Sequence, residues 1–214
     1  VDMKRIVCYG DSNTFGHNPI DGSRLPRSKR WTGILASLLG PEYEILEEGL
    51  CGRTTVHEVP YEPGLNGLPY LKPCLLSHRP FDLLILMLGT NDLQVTFSTV
   101  PLTVANGAET LVRCAQALDW GPGEAPQILL VSPIRIGDVS VNPVFGPLFG
   151  FERASTYSAQ LAPYYRDIAE RRGCAFLDAA SVASPSPVDG LHMEPEEHAK
   201  LAAALADKVR ELLG

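Results

Sequence analysis

Residues 82–88 read DLLILML, an apolar run with no polar alternation. A strand with one wet face alternates with period two, whereas a strand buried on both faces does not; double burial belongs to parallel sheets with helices on each side. Further short apolar runs stand on either side of it, at Arg5 to Tyr9, Tyr43 to Glu47, Gln127 to Ser132 and Cys174 to Leu177. Between them lie helical stretches. Apolar residues at Val104, Ala108, Leu111, Ala115 and Leu118 make a helix of Thr103 to Leu118, and Leu201, Leu205, Val209 and Leu212 make another. Pro195 suits the first turn of that last helix, with Glu196 and Glu197 favourable at its positive end. Trp31 to Leu39, Leu68 to Ser77 and Ser155 to Arg172 also read as helices, with Pro163 marking a kink or a late start. Alternating β and α units predict a three-layer α/β/α sandwich around a central five-stranded parallel sheet with right-handed crossovers.

In such sheets ligands gather at the carboxyl ends of the strands. Ser12, Gly52 and Thr90 to Asp92 each stand just past an apolar run and are therefore expected on one rim. The chain of 214 residues is long enough to bury one core and is expected to fold as a single domain, 1–214. Its formal charge of −7 gives no support for nucleic acid or an anionic membrane surface as partner; small neutral substrates fit better. Cys8, Cys51, Cys74, Cys114 and Cys174 are scattered with no CxxC pair, so they are expected as reduced, buried thiols. With no leader pattern at VDMKRIVCYG and no apolar run of the ~18 residues that a span requires, the expected setting is cytoplasmic.

The residues that can do chemistry sit at the breaks. In IVCYGDSNTFG, Ile6 to Gly16, a strand ends in Gly10, Asp11, Ser12 and Asn13, which reads either as a polar turn or as a nucleophile at a sheet mouth. Near the other end, Asp189 and His192 of DGLH are three apart across Gly190, so the carboxylate can orient the imidazole. His192 is then the base that a serine hydroxyl needs, and Ser12 is the natural partner. Acyl transfer also needs donors for an oxyanion. Asn91 of GTND, the backbone N–H of Gly52 in EEGLCGRTT, and the N–H of Ser12 itself are the candidates. Such a site calls for no cofactor and no metal. His17, His57, His78 and His198 are scattered and read as surface or hydrogen-bonded histidines. Asp92 reads as orienting a loop, while Arg53, Thr54 and Thr55 either line the pocket or stabilise their turn. The polar loop His17 to Arg30 and the Phe/Pro/Gly-rich Ile134 to Phe151 fit no regular element; the second reads as packing, or as a pocket wall or subunit contact.

GDSN at Gly10 to Asn13, the glycine block at Gly49 to Gly52, GTND at Gly89 to Asp92 and DGLH at Asp189 to His192 together resemble blocks I, II, III and V of the SGNH (GDSL-like) hydrolases. They stand in the family's order and span nearly the whole chain. EEGLCGRTT and the compact length are most similar to the small bacterial aryl-esterase and acyltransferase branch. The resemblance implies a flavodoxin-like SGNH hydrolase fold and a serine esterase of short-chain esters that can pass the acyl group to alcohols or peroxide. It implies Ser12 as nucleophile, His192 as base, Asp189 as its partner, and Ser12, Gly52 and Asn91 as oxyanion donors. A homo-oligomer with a restricted pocket is also implied. Many relatives have Leu where Asn13 stands, a change that in principle leaves the chemistry unaffected. Block II offers both Gly49 and Gly52 as donor, and there is no GxSxG elbow. Two other readings compete: a flavodoxin-like module whose GDSNTFG loop cradles a phosphate, and the same triad acting on thioesters, lysophospholipids or acetylated sugars.

Overall fold

The structure, a computed structural model, describes residues 3–214. Its strands are β1 (Lys4–Gly10), β2 (Tyr43–Gly49), β3 (Leu83–Met87), β4 (Gln127–Ser132) and β5 (Ala175–Asp178). Its helices are α1 (Ser12–Phe15), α2 (Trp31–Leu39), α3 (Gly67–His78), α4 (Pro101–Gln116), α5 (Phe145–Phe149), α6 (Glu152–Ser158), α7 (Leu161–Arg172) and α8 (Pro195–Leu213). The strands form one five-stranded sheet in the order β2-β1-β3-β4-β5, and every pairing is parallel.

The unalternating β3 is buried throughout, as its composition requires. Leu84 and Leu86 join Val7, Tyr9 and Leu130 on one face, under Leu71 and Leu75 of α3, Leu111 of α4 and Leu161 and Ile168 of α7. Leu83, Ile85 and Met87 join Ile6, Cys8 and Leu129 on the other, under Trp31 and Leu35 of α2 and Leu201, Leu205 and Val209 of α8. Each aliphatic side chain so buried contributes about 1.5–3 kcal/mol relative to exposure. The hydrophobic layer on both sides of β3 is therefore what makes this a three-layer fold.

Where the elements differ from the sequence reading, local chemistry explains it. Ser155 to Arg172 is not one helix: α6 ends at Ser158, and α7 starts at Leu161, which puts Pro163 in its first turn, where no intrahelical hydrogen bond is lost. The long helix starts at Pro101 rather than Thr103, because Pro fits the first helical position and the Thr103 hydroxyl accepts the Val100 N–H at 3.0 Å. Ile134 to Phe151 contains a 3₁₀ turn, Val139–Val141, and α5. The side chain of Asn142 accepts the N–H groups of Val144 and Phe145 at 2.9 and 3.0 Å and so starts that helix. All five cysteines are free thiols as expected, but only Cys8 and Cys74 are buried; Cys51, Cys114 and Cys174 are half-buried.

The order β2-β1-β3 means that the chain leaves β1 toward one edge and returns past it to β3. The crevice at the carboxyl ends of β1 and β3 is the place where such a sheet holds its ligands.

Candidate active site

Ser12 follows β1 as the first residue of α1 and is 7% exposed. The sharp exit from the strand depends on Gly10, since a Cβ there would lie 2.0 Å from the Thr14 hydroxyl. Asp11 closes the turn by accepting the Asn13 N–H at 2.9 Å. Burial pushes the Asp11 carboxyl up to about 6, against the opposing pull of the Asn13 N–H and of His192.

The second half of the site comes from the loop between β5 and α8. Asp189 accepts the N–H groups of Leu191 and His192 on one oxygen, at 2.8 and 2.9 Å, and Nδ1 of His192 on the other, at 2.6 Å. Gly190, at φ +71, allows the loop to double back, and a Cβ there would lie 2.4 Å from the Asp138 carbonyl oxygen. Burial alone would raise the Asp189 carboxyl, but the hydrogen bond and charge of His192 and the two backbone donors outweigh it and hold it below its usual range. A carboxylate only accepts, so Nδ1 carries the proton and Nε2 is left as an acceptor. The Ser12 hydroxyl donates to that Nε2 at 2.9 Å across 180 residues of sequence.

Ser12, Gly52, Asn91 and His192 line one cavity of about 410 Å³. Gly52 has φ +80, and neither its N–H nor that of Ser12 has a partner among the described residues. Gly49 is elsewhere: it ends β2 with its Cα pressed on the backbone of α1, where a Cβ would lie 2.2 Å from the Phe15 nitrogen. Asn91 is held at both ends of its amide. Nδ2 donates to the Arg53 carbonyl at 3.1 Å and Oδ1 accepts from Gln94 at 3.5 Å, which leaves one N–H of the amide for the cavity.

The residues around these donors fasten block II to block III. Asp92 is fully buried and accepts both the N–H and the hydroxyl of Thr55. Burial raises its carboxyl even though those donors and His57 pull the other way. Arg53 donates to the carbonyls of Gly10 and Glu48 and lies 4.2 Å over the Tyr9 ring. Arg53, Thr54 and Thr55 thus stabilise their turn and do not line the cavity.

Two further walls close the cavity, of which the sequence reading missed His17 and offered the Ile134 to Phe151 segment as one alternative. The ring of His17 lies 4.1 Å from that of His192, and His17 lines the cavity. Burial, then the charge of His192, lowers its pKa. Its loop is held by Arg24, Arg27 and Arg30, which converge on Glu47 at 3.1, 3.3 and 2.7 Å. The basic tail of that loop was the available signal, since it needs an acidic anchor. The other wall is α5: Phe145 meets His192 at 5.6 Å between ring centroids, edge to face, and Leu148 and Phe149 line the same cavity. Ile134 to Phe151 is therefore both packing and pocket wall.

Of the other histidines, His198 is fully buried and accepts the Trp31 N–H at 3.2 Å. Two groups of metal-capable side chains occur among the described residues, His17 with Asp189 and His192, and Glu48 with Cys74 and His78. Both are already internally hydrogen-bonded, through His192 to Asp189 and through His78 to Glu48 at 2.6 Å. Burial and Glu48 also push the Cys74 thiol up to about 12.

The model of the GDSL-like lipase/acylhydrolase family matches residues 8–200. An aryl esterase from M. smegmatis is 41% identical, with 98% of this chain and 100% of that one covered and a TM-score of 0.92. A carbohydrate acetylesterase from Sinorhizobium meliloti is 38% identical over 98% of this chain and 100% of that one, with a TM-score of 0.91. The lipase/acylhydrolase from Enterococcus faecalis, at 20% identity over 98% of this chain and 96% of that one and a TM-score of 0.68, shares the fold. No curated protein sequence matches significantly. The α/β sheet architecture, the motif order and these likenesses agree, and the chain belongs to the GDSL-like lipase/acylhydrolase family of enzymes.

Proposed function

We propose that the protein is a serine esterase of short-chain aryl and alkyl esters, working through Ser12, His192 and Asp189 by way of an acyl-enzyme. The observation that carries this reading is the continuous line from the Ser12 hydroxyl to Nε2 of His192 at 2.9 Å and from Nδ1 to Asp189 at 2.6 Å. His192 takes the Ser12 proton as Oγ attacks the ester carbonyl. The oxyanion is met by the N–H groups of Ser12 and Gly52 and by the amide of Asn91. His192 passes its proton to the departing alkoxide, and water or an alcohol, deprotonated in turn by His192, releases the acyl group.

The pocket supports a small, neutral ester. Its lining is mostly apolar, with Val59, Leu65, Phe145, Leu148, Phe149 and Leu191. The aryl esterase and acetylesterase likenesses agree with a short acyl group and an aryl or sugar alcohol. A phosphate-cradling module has less support. The Ser12 hydroxyl is engaged by His192, and Thr14, the other hydroxyl of the loop, is fully buried.

The test is turnover of p-nitrophenyl esters of graded acyl length by wild type and Ser12→Ala, with fluorophosphonate labelling located by mass spectrometry. The expected result is label on Ser12, a preference for acetyl or propionyl over octanoyl, and no turnover by a Ser12→Ala protein of unchanged melting temperature. Full activity in that variant would remove the proposal.

A further inference from the structure

Asn13 stands directly after Ser12, and its side chain does not point into the cavity. It is 3% exposed, and its amide reaches across to the loop that carries His192. Oδ1 accepts the Met193 N–H at 3.0 Å, and Nδ2 donates to the Leu191 carbonyl at 3.3 Å. One side chain therefore grips the peptide groups on both sides of His192. The arrangement copies a step of strand pairing, with a primary amide in the place of a backbone unit.

The remaining bonds of that loop show what this grip adds. His192 is tied to its own loop through Asp189 and through its carbonyl, which accepts the Ser186 N–H at 2.7 Å. Those bonds shape the loop, and the Gly137 N–H on the Gly190 carbonyl at 2.7 Å ties it to the segment after β4, but none of them reaches the turn that carries Ser12. Asn13 supplies that link, and the Asn13 N–H is itself fastened to Asp11 at 2.9 Å. Leu191 and Met193 are both buried, so no water replaces the amide if it is lost. Leucine is close to asparagine in size but would orphan one buried donor and one buried acceptor.

We propose that Asn13 is a positioning residue that sets the alignment of the Ser12 hydroxyl with Nε2 of His192 by holding the chain on both sides of the base. The proposal rests on the reading of Ser12 and His192 as nucleophile and base. Asn13 touches no reacting atom and acts only through where His192 lies. Loosening that geometry by a fraction of an ångström to an ångström is expected to lower the rate of Ser12 acylation by about 10- to 100-fold.

The test compares wild type, Asn13→Leu and Asn13→Asp, each also made in a His192→Ala background, using kcat and KM for p-nitrophenyl acetate, the fluorophosphonate labelling rate, and thermal melting. Asn13→Asp keeps the outline and the acceptor for Met193 but loses the donor to Leu191, so it serves if the leucine variant does not fold. The expected result is a lower kcat and a slower labelling rate, with KM within about twofold, in folded protein, and no further loss when His192 is already alanine. Unchanged kcat in the variants would overturn the inference, as would an equal loss in the His192→Ala background. Ser12→Ala separates the two levels: if it is inactive while Asn13→Leu keeps full activity, only the inference about Asn13 fails. If Ser12→Ala is active, both fall.

Discussion

The backbone N–H of Trp31, at the start of α2, donates to Nδ1 of His198 in the first turn of α8, at 3.2 Å and out of contact with water. This bond requires a neutral imidazole, and burial lowers the His198 pKa to about 4 from its ordinary 6.5. The unfolded chain therefore binds a proton between pH 6.5 and 4 that the folded protein refuses, so this group's contribution to stability is complete above pH 6.5 and is lost progressively toward pH 4. The shift corresponds to about 3 kcal/mol. His198→Asn keeps an acceptor for Trp31 and cannot titrate. Denaturant melts across this range are expected to show a steeper acid loss for wild type than for the variant; parallel curves would exclude His198 as the cause.

Asp11 works with the opposite sign. Its carboxyl is raised from 3.8 to about 6, so the folded protein holds a proton that the unfolded chain releases between those values. Stability from this group falls as pH rises through that window and stays lowered above it, again by about 3 kcal/mol. Asp11→Asn preserves the acceptor for the Asn13 N–H without the buried charge. The variant is expected to melt higher than wild type at pH 8 and to differ little at pH 4, by calorimetry at both values.

If the Asn91 amide meets the oxyanion, its removal acts on the transition state more than on substrate binding. Asn91→Ala is expected to lower kcat by about 10²–10³-fold with little change in KM. Steady-state kinetics with a p-nitrophenyl ester decide it, and a loss confined to KM would assign Asn91 to substrate binding instead.

The two glycines of block II are expected to respond differently to alanine. At Gly49 the added methyl meets backbone, with the Phe15 nitrogen at 2.2 Å and the Thr14 carbonyl carbon at 2.6 Å, so α1 and Ser12 must shift. The cost is about 1–3 kcal/mol, with loss of turnover. At Gly52 the methyl meets the movable Leu65 side chain at 2.9 Å, and the main penalty is the positive φ, about 1–2 kcal/mol. Melting temperature and kcat measured on both variants separate them: Gly49→Ala is expected to lose activity out of proportion to a comparable loss of stability.

The layers of this protein were legible in its sequence because burial on both faces suppresses alternation, and DLLILML shows that suppression without help from distant residues. Helix stripes such as Leu201, Leu205 and Val209 were legible for the same local reason. Strand ends and the polar residues after them followed, so Ser12, Asn91, Asp189 and His192 were nameable from GDSN, GTND and DGLH alone.

What only the tertiary structure decided are relations between distant segments whose strength depends on shape. Gly49 and Gly52 look alike in sequence, and what separates them is that one presses on α1 while the other faces the cavity. His17 resembles any loop histidine until three arginines on Glu47 hold its loop and bring its ring to His192. Asn13 resembles a turn residue until its amide meets both peptide groups around His192. Local patterning records which side chains avoid water, because that depends on each residue's own chemistry. It does not record which donor finds which acceptor, because that depends on where the folded chain brings segments 180 residues apart.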